Sequence, residues 1–414
     1  MPTLDAGGAG APARNDALVN PALIRAWLGW GLAWLLIFPT IGALVSLKFT
    51  DPDFLGDVAW LTFGRLRPVH VNGVIWGAFS TLFIGLCHWV VPRLCGVRLW
   101  REGGSWVLLA VWNVNLAVAV ALLLAGFNRG WEAGELPLGN VLVLFAVLVA
   151  LTVQMLMTIR RRTETPLYVS LWYLIAALVW TDANLVLLMV GPDHLPGINN
   201  AAWHGLFIHY IVGLWITPAG YVLIYYFLPA SIRAPIYSHR LSLIGFWSLA
   251  FFYPFVGIHH YLYSPIADWA ETIAIVSSMM LIVPVWTVLQ EPTHFTDFVV
   301  AHSHLTIFGT FIMWAVAGVL YVWPKLAGAP LASFRLANWG FWLTTLGIGS
   351  MALVLSAQGL LQGFMLMRGA EFVDTVVTIR PYWWVRTLTG LSMDAGLSLV
   401  VLALMKTSSR RAAA

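Results

Sequence analysis

His302 and His304 stand one residue apart in Ala301-His302-Ser303-His304, inside a long apolar stretch. On an α-helix, positions i and i+2 point about 200° apart, at roughly 100° per residue. Two such imidazoles cannot serve one metal, but they can serve two, one on each side of the helix. That geometry suits a bundle that holds two haems. Tyr253 and the pair His259-His260 lie on a separate apolar segment, and His209 lies on a third.

Ionisable groups inside apolar segments are costly and point to function by default, and neutral imidazole is a common ligand for iron and copper. His259 and His260 can both reach one metal beside their helix if a third imidazole comes from elsewhere. His204 and His209, both within Trp203-His204-Gly205-Leu206-Phe207-Ile208-His209, compete for that place. Three imidazoles with an open position suit copper, or non-haem iron if a carboxylate joins. Tyr253, six residues before His259, falls on a similar helical face, where a phenol can give a proton and an electron to a nearby metal. His70 follows Arg65-Leu66-Arg67-Pro68. A six-coordinate haem takes axial ligands from two helices, and Arg67, one turn before His70, can pair with a propionate. His88, His194, His204, His239 and His294 sit near segment ends and read as interfacial or hydrogen-bonded residues.

The elements that position these groups are membrane helices. The chain has 414 residues, 60% hydrophobic and 10% charged, with 23 Trp, which marks a polytopic helical membrane protein with aromatic belts in a lipid bilayer. Apolar segments lie at about 24–47, 69–92, 104–126, 139–159, 167–190, 200–228, 240–262, 268–289, 298–323, 336–362 and 383–405. Each is long enough to cross roughly 30 Å of hydrocarbon at 1.5 Å per residue. The expected fold is all-α, with about 11 transmembrane helices in one membrane domain over 21–406. A flexible Ala/Gly-rich tail precedes it (1–20) and a basic tail follows (407–414).

Positive loops orient the chain. Arg93, Arg98 and Arg101, then Arg160 to Arg162, Arg233 and Arg240, and finally Lys406, Arg410 and Arg411 mark the inner side. Asp51–Asp57, Glu132–Glu135 and Asp193 mark the outer. One region does not close. If 268–289 crosses inward, 298–323 should cross outward, yet Lys325 and Arg335 place its end inside. Either 268–297 is re-entrant or one spanning helix is missing. The net charge of +4 is modest and confined to short loops and the tail, so nucleic acid is not expected as a partner. Cys87 and Cys95 form no Cys-x-x-Cys-His, so neither a covalently attached c-type haem nor a cysteine zinc site is expected.

Several stretches together resemble the catalytic subunit of haem–copper oxygen reductases, most closely the C family, the cbb3-type cytochrome c oxidases. They are Gly64-Arg65-Leu66-Arg67-Pro68-Val69-His70, His209-Tyr210-Ile211-Val212-Gly213 running to Tyr225-Tyr226-Phe227-Leu228-Pro229, and Pro235 to Ser242. Gly257-Ile258-His259-His260, Asp268-Trp269-Ala270 and His294-Phe295-Thr296-Asp297 through His304 follow, and Gln358-Gly359 to Gly363 match less specifically. The likeness spans roughly 55–400. It implies that His70 and His304 are axial ligands of a low-spin haem b and that His302 is the proximal ligand of a high-spin haem b. It implies His209, His259 and His260 as copper ligands, choosing His209 over His204, and Tyr253 as the tyrosine linked covalently to His209. Thr217, Tyr225 and Ser242 fall where the family's single proton channel has polar residues.

The resemblance further implies a bacterial inner-membrane respiratory oxidase that reduces O2 to water with coupled proton uptake. Its electrons would come from separate membrane-anchored cytochrome c subunits. The departure is the region that the charge map flags. The family plan has twelve spans, with two between the copper pair and the haem-ligand helix, and here most of one is absent. Glu291 is the nearby acid there, while Asp182 and Asp394 are further acids within spans. The rival reading is a nitric oxide reductase of the same superfamily, with non-haem iron in place of copper. Such a site usually carries a glutamate one turn after the first histidine, where this chain has Gly213, and it lacks the linked tyrosine. A divergent homologue and a transporter with proton-relay histidines are the remaining readings. The transporter would not explain why His302 and His304 point apart.

Overall fold

The computed structural model describes residues 17–262, 264–281 and 296–412, with the side chains of 281 and 409–412 left aside. The readings for His294, Glu291 and most of the N-terminal tail fall outside these residues. Among the described residues, ten helices are long and apolar enough to cross a membrane. We number them with the shorter helix that joins them: α1 Pro21–Thr50, α2 Phe63–Cys95, α3 Gly104–Ala125, α4 Leu138–Arg160, α5 Val169–His194, α6 Gly197–Ile232 and α7 His239–Tyr261. The short helix α8 Asp268–Leu281 precedes α9 Asp297–Ala327 and α10 Phe334–Met367, and α11 Phe372–Ala412 closes the chain. Among the described residues there is no strand, so the fold is an all-α polytopic membrane bundle.

Local sequence sets the boundaries. The Asn20 side chain accepts from the amides of Ala22 and Leu23 at the start of α1, and Pro21 occupies the first helical position, where no amide is needed. Ser238 and Ser333 cap α7 and α10 in the same way. Gly96, with φ 67°, ends α2 in the left-handed conformation that a side chain disfavours. The helix α11 begins eleven residues before the apolar segment expected at 383. Asp374, Arg380 and Pro381 hid its first turns, although the helix continues through Pro381.

The bundle is centred on α2. Its most apolar window is 100% buried, against 28% for α7. A helix that is apolar all round and enclosed lies in the protein core, whereas one half exposed faces lipid. Two of the indoles that pack on α2 are hydrogen-bonded to it: Trp112 Nε1 donates to Thr81 Oγ1 at 3.0 Å and Trp215 Nε1 to Ser80 Oγ at 2.9 Å. Bilayer hydrocarbon offers such groups no other partner.

Ten spans resolve the charge map. With α1 running outward, α7 ends outside, α9 begins outside, and Lys325 at the end of α9 is inside. The connection 262–296, which contains α8, therefore begins and ends on the same side. The choice between a re-entrant segment and a missing helix rests on 282–295, outside the described residues.

Three spans depart from α-helical winding beside a histidine. Gly73–Phe79 in α2, Ile211–Ile216 in α6 and His304–Ile312 in α9 are π-helical. They follow His70 and His209 closely, and the third begins at His304. Wider winding frees carbonyls, and hydroxyls five residues on take them up. Ser80 donates to Ile75 O, Thr81 to Trp76 O, Thr217 to Val212 O and Thr310 to Leu305 O. Single π-turns of this kind concentrate at functional sites. In α7 the winding tightens instead: Tyr253–Tyr261 is a 3₁₀-helix, with Pro254 lacking an amide donor near its start.

Candidate haem and copper centre

The two copper-side elements meet backbone to backbone. A Cβ on Gly257 would lie 2.5 Å from Gly205 O, and a Cβ on Gly205 would lie 2.6 Å from Gly257 O. Only glycine at both positions permits this approach. His209 stands one turn after Gly205, and His259 and His260 stand two and three residues after Gly257, so the contact brings the three imidazoles together. The 3₁₀ winding corrects the α-helical spacing read from the sequence. At about 120° per residue, Tyr253 and His259 are two full turns apart and share a face.

The ligand nitrogens of His209, His259 and His260 all lie within 4.8 Å of one another. Ring centres are 4.6 Å apart for His209 and His259, 4.7 Å for His209 and His260, and 4.8 Å for His259 and His260. The Nε2 atoms of His209 and His260 approach to 2.6 Å. His209 Nδ1 is buried with no hydrogen-bond partner. Lone pairs so close, with an orphaned buried nitrogen beside them, call for a cation, and three imidazoles suit copper. His259 Nδ1 donates to Ser278 Oγ on α8 at 2.7 Å, and that hydroxyl donates on to Ala274 O at 2.7 Å. This bond places the proton on Nδ1 and leaves Nε2 as the donor to a metal. Among the described residues this is the one such grouping of His, Cys, Asp and Glu, and no carboxylate joins it.

Tyr253 packs beside His209, with ring centres 5.8 Å apart and planes at 46°. Its ring occupies the space next to Gly213, where a Cβ would lie 1.8 Å from its Cζ. The glutamate of the rival nitric oxide reductase reading has no room there while Tyr253 stays in place.

His302 and His304 do face different partners. His304 stacks with His70, ring centres 6.3 Å apart and planes within 18°. His302 lies on the copper side, where its charge is felt at His209. Two imidazoles bound to opposite faces of one metal through bonds of about 2 Å have ring centres roughly 6 Å apart, so the His70–His304 spacing fits a haem iron held between them. Their tautomers fit as well. His70 Nδ1 donates to Phe38 O at 2.9 Å and His304 Nδ1 to Val300 O at 2.8 Å, leaving Nε2 on both as the ligating nitrogen. Gly42 makes room for the His70 ring, since a Cβ there would lie 2.4 Å from its Cε1.

Arg67, expected to face a propionate, pairs with Glu132 and Glu135 in the loop after α3. Glu135 also accepts from Asn72 Nδ2 at 2.7 Å. Burial pushes the Glu135 carboxyl up to about 7, against the Asn72 hydrogen bond and the Arg67 charge. The cation that sequence reading missed is Arg386 on α11. Its Nη1 is buried without a partner, its charge is felt at both His70 and His304, and its guanidinium lies 4.4 Å from the Phe49 ring centre. An orphaned guanidinium nitrogen beside the histidine pair suits an anionic group such as a propionate. Asp297 faces Arg386 and accepts from Trp383 Nε1 at 2.7 Å and from Gln358.

Of the proton-path candidates, Thr217 donates to Val212 O in the π-segment and Ser242 donates to His239 O. Tyr225 stacks with Tyr173, ring centres 5.9 Å apart. Gly213, Thr217, Tyr221 and Tyr225 follow at spacings of four, one face of α6 running inward from Tyr253. Tyr221 was not singled out from sequence, although that spacing could have found it. His204, the weaker copper candidate, stacks on Trp131 at 5.6 Å, away from the triad. His88 bonds Ile84 O and Ser105 Oγ, as a structural histidine should. Asp182 accepts from Thr152 at 2.8 Å rather than pairing with Asn184.

The same arrangement of helices and histidines has known counterparts. The family described as cytochrome c and quinol oxidase polypeptide I matches residues 22–291 and 287–392. The cytochrome c oxidase subunit 1 homolog of Agrobacterium tumefaciens (strain T37) is 28% identical over 94% of this chain and 83% of its own length. The Cbb3-type cytochrome c oxidase subunit CcoN1 of Stutzerimonas stutzeri is 26% identical over 91% of this chain and 92% of its own. A heme-copper terminal oxidase dimer solved by cryo-EM shares the fold, with a TM-score of 0.71, 14% identity, and coverage of 94% of this chain and 84% of that one. The His triad is consistent with a binuclear centre, and the chain is a multi-pass membrane protein of the kind found in bacterial inner-membrane respiratory oxidases. With most of its length matched, the chain belongs to the cytochrome c and quinol oxidase polypeptide I family, as a haem–copper oxidase subunit I.

Proposed function

We propose that this chain is the catalytic subunit of a cbb3-type cytochrome c oxidase, which reduces O2 to water with protons drawn from the inner side. The observation that carries this reading is Tyr253, seated against Gly213 next to a triad of three imidazoles and no carboxylate. That donor set supports copper over non-haem iron, and it leaves no space for the acid that a nitric oxide reductase places there.

In this reading His70 and His304 hold a low-spin haem b, His302 holds a high-spin haem b, and His209, His259 and His260 hold one copper. When bound, these groups would supply the electrons that reduce O2. The chain's own residues do the rest. Ser278 fixes the tautomer of His259. Arg386, with Arg67 further out, offers positive charge to propionates. Tyr253 keeps a phenolic proton beside His209. Thr217, Tyr221 and Tyr225 give a polar stripe on α6 toward the inner face, with Ser242 near its end. Apolar packing elsewhere excludes bulk water from the bundle. Because the chain has no c-haem motif, electrons arrive from separate membrane-anchored cytochrome c subunits.

The test is O2 consumption by the purified enzyme with reduced c-type cytochrome. Tyr253→Phe should abolish turnover while haem and copper content stay at wild-type levels. Full turnover in that variant would overturn the role given to Tyr253.

A further inference from the structure

Asp297 opens α9, the helix that carries His302 and His304. Two other helices donate to its carboxylate. Its Oδ2 accepts from Trp383 Nε1 on α11 at 2.7 Å and from Gln358 Nε2 on α10. Gly359 lets α10 come this close, since a Cβ there would lie 2.2 Å from Phe298 N. Both donors are buried, so the carboxylate is held from two sides in a place that water does not reach freely.

The same frame carries Arg386. Trp383 stands about one turn before it on α11. Phe49 from α1 lies against both, its ring centre 5.2 Å from that of Trp383 and 4.4 Å from the guanidinium. Asp297 and Arg386 feel each other's charge, yet Arg386 Nη1 stays buried without a partner. A carboxylate free to swing would pair with a buried guanidinium and take up its donors. Trp383 and Gln358 hold this one back. Arg386 therefore keeps a nitrogen open beside the His70–His304 pair, and a fixed negative charge stands near it.

A cation near a haem favours the reduced iron and an anion favours the oxidised iron, and burial leaves such charges poorly screened. We propose that Asp297, positioned by Trp383 and Gln358, is a fixed counter-charge to Arg386 that lowers the reduction potential of the low-spin haem. The inference rests on the reading of His70 and His304 as the axial ligands of that haem. A purely structural Asp297 would serve through its two hydrogen bonds, and an uncharged acceptor of the same shape would replace it.

The experiment is a redox titration of the full purified enzyme, followed at the absorbance of the low-spin haem. Asp297→Asn keeps an oxygen for both donors and removes the charge. The ratio of reduced to oxidised haem at fixed potential should rise by about tenfold, which is about 59 mV for a one-electron couple. Arg386→Gln should move the ratio the other way. Trp383→Phe removes one hydrogen bond and keeps the charge, so it should not raise the ratio. An unmoved midpoint in Asp297→Asn with its haem content intact would overturn the proposal. An equal rise in Trp383→Phe would also overturn it, because the effect would then belong to the hydrogen bonds. Should Asp297→Asn fail to assemble, an unmoved midpoint in Arg386→Gln overturns it on its own. A wild-type enzyme with no low-spin haem would instead overturn the ligand reading beneath it, so the two failures are distinguishable.

Discussion

The ring of Tyr253 fills the space that any side chain at Gly213 would need, its Cε1 only 1.7 Å from where a Cβ would sit. Two helices that carry the His triad are thereby keyed to each other at Gly213.

Gly213→Ala should therefore displace Tyr253 from His209. Overpacking of this kind costs about 1–3 kcal/mol, so the fold should survive while turnover falls. A thermal unfolding curve together with O2 consumption would check this. An alanine variant with wild-type turnover would mean that Tyr253 need not sit where it does.

Gly257→Ala attacks the triad through the backbone. The new Cβ would meet Gly205 O, which cannot rotate away, so α6 and α7 must separate and His209 must draw back from His259 and His260. Copper content of the purified variant should fall well below one per chain while the His70–His304 pair keeps its haem. Full copper occupancy would show that the close approach is not what assembles the site.

How much of this was legible in the sequence follows from what each feature depends on. Histidines in apolar segments declare themselves, because hydrocarbon does not tolerate them without a partner. Apolar length and arginines in short loops give ten of the eleven expected spans, whereas the apolar run at 268–289 was counted as an eleventh and left the charge map open. The winding beside the ligands was not legible. Thr217, Ser80 and Thr81 look like ordinary helix hydroxyls until their partners five residues back are known. Nor does a sequence reveal that Gly205 meets Gly257, which is a tertiary contact between separate helices. Arg386 was overlooked because it sits just inside an apolar run, and only the fold sets it beside His70 and His304. Arg67 was read as a propionate partner, and Glu132 and Glu135 reach it from a loop some sixty residues away.

His302→Ala should remove the high-spin haem and keep the low-spin signal, because His304 turns to His70 while His302 lies on the side of His209. Haem content should drop from two to one per chain in a pyridine haemochrome assay. Loss of the low-spin signal with the high-spin one intact would reverse the two assignments.

Glu135 predicts a pH dependence. Its carboxyl is pushed from 4.5 up to about 7 by burial. Between those values the folded chain still holds a proton that the unfolded chain has released. Stability is then fully present below about 4.5 and is lost as pH rises through about 7, by about 3 kcal/mol in all. Thermal unfolding of the detergent-solubilised protein across this window should show the decline, and Glu135→Gln should flatten it. An identical slope in the variant would assign the effect to other groups.

The most direct test of the central claim is the metal and haem content of the purified protein. Three imidazoles without a carboxylate, keyed to Tyr253, should hold copper, so one copper with two haems b per chain is expected. Two haems with additional non-haem iron and no copper would contradict the account.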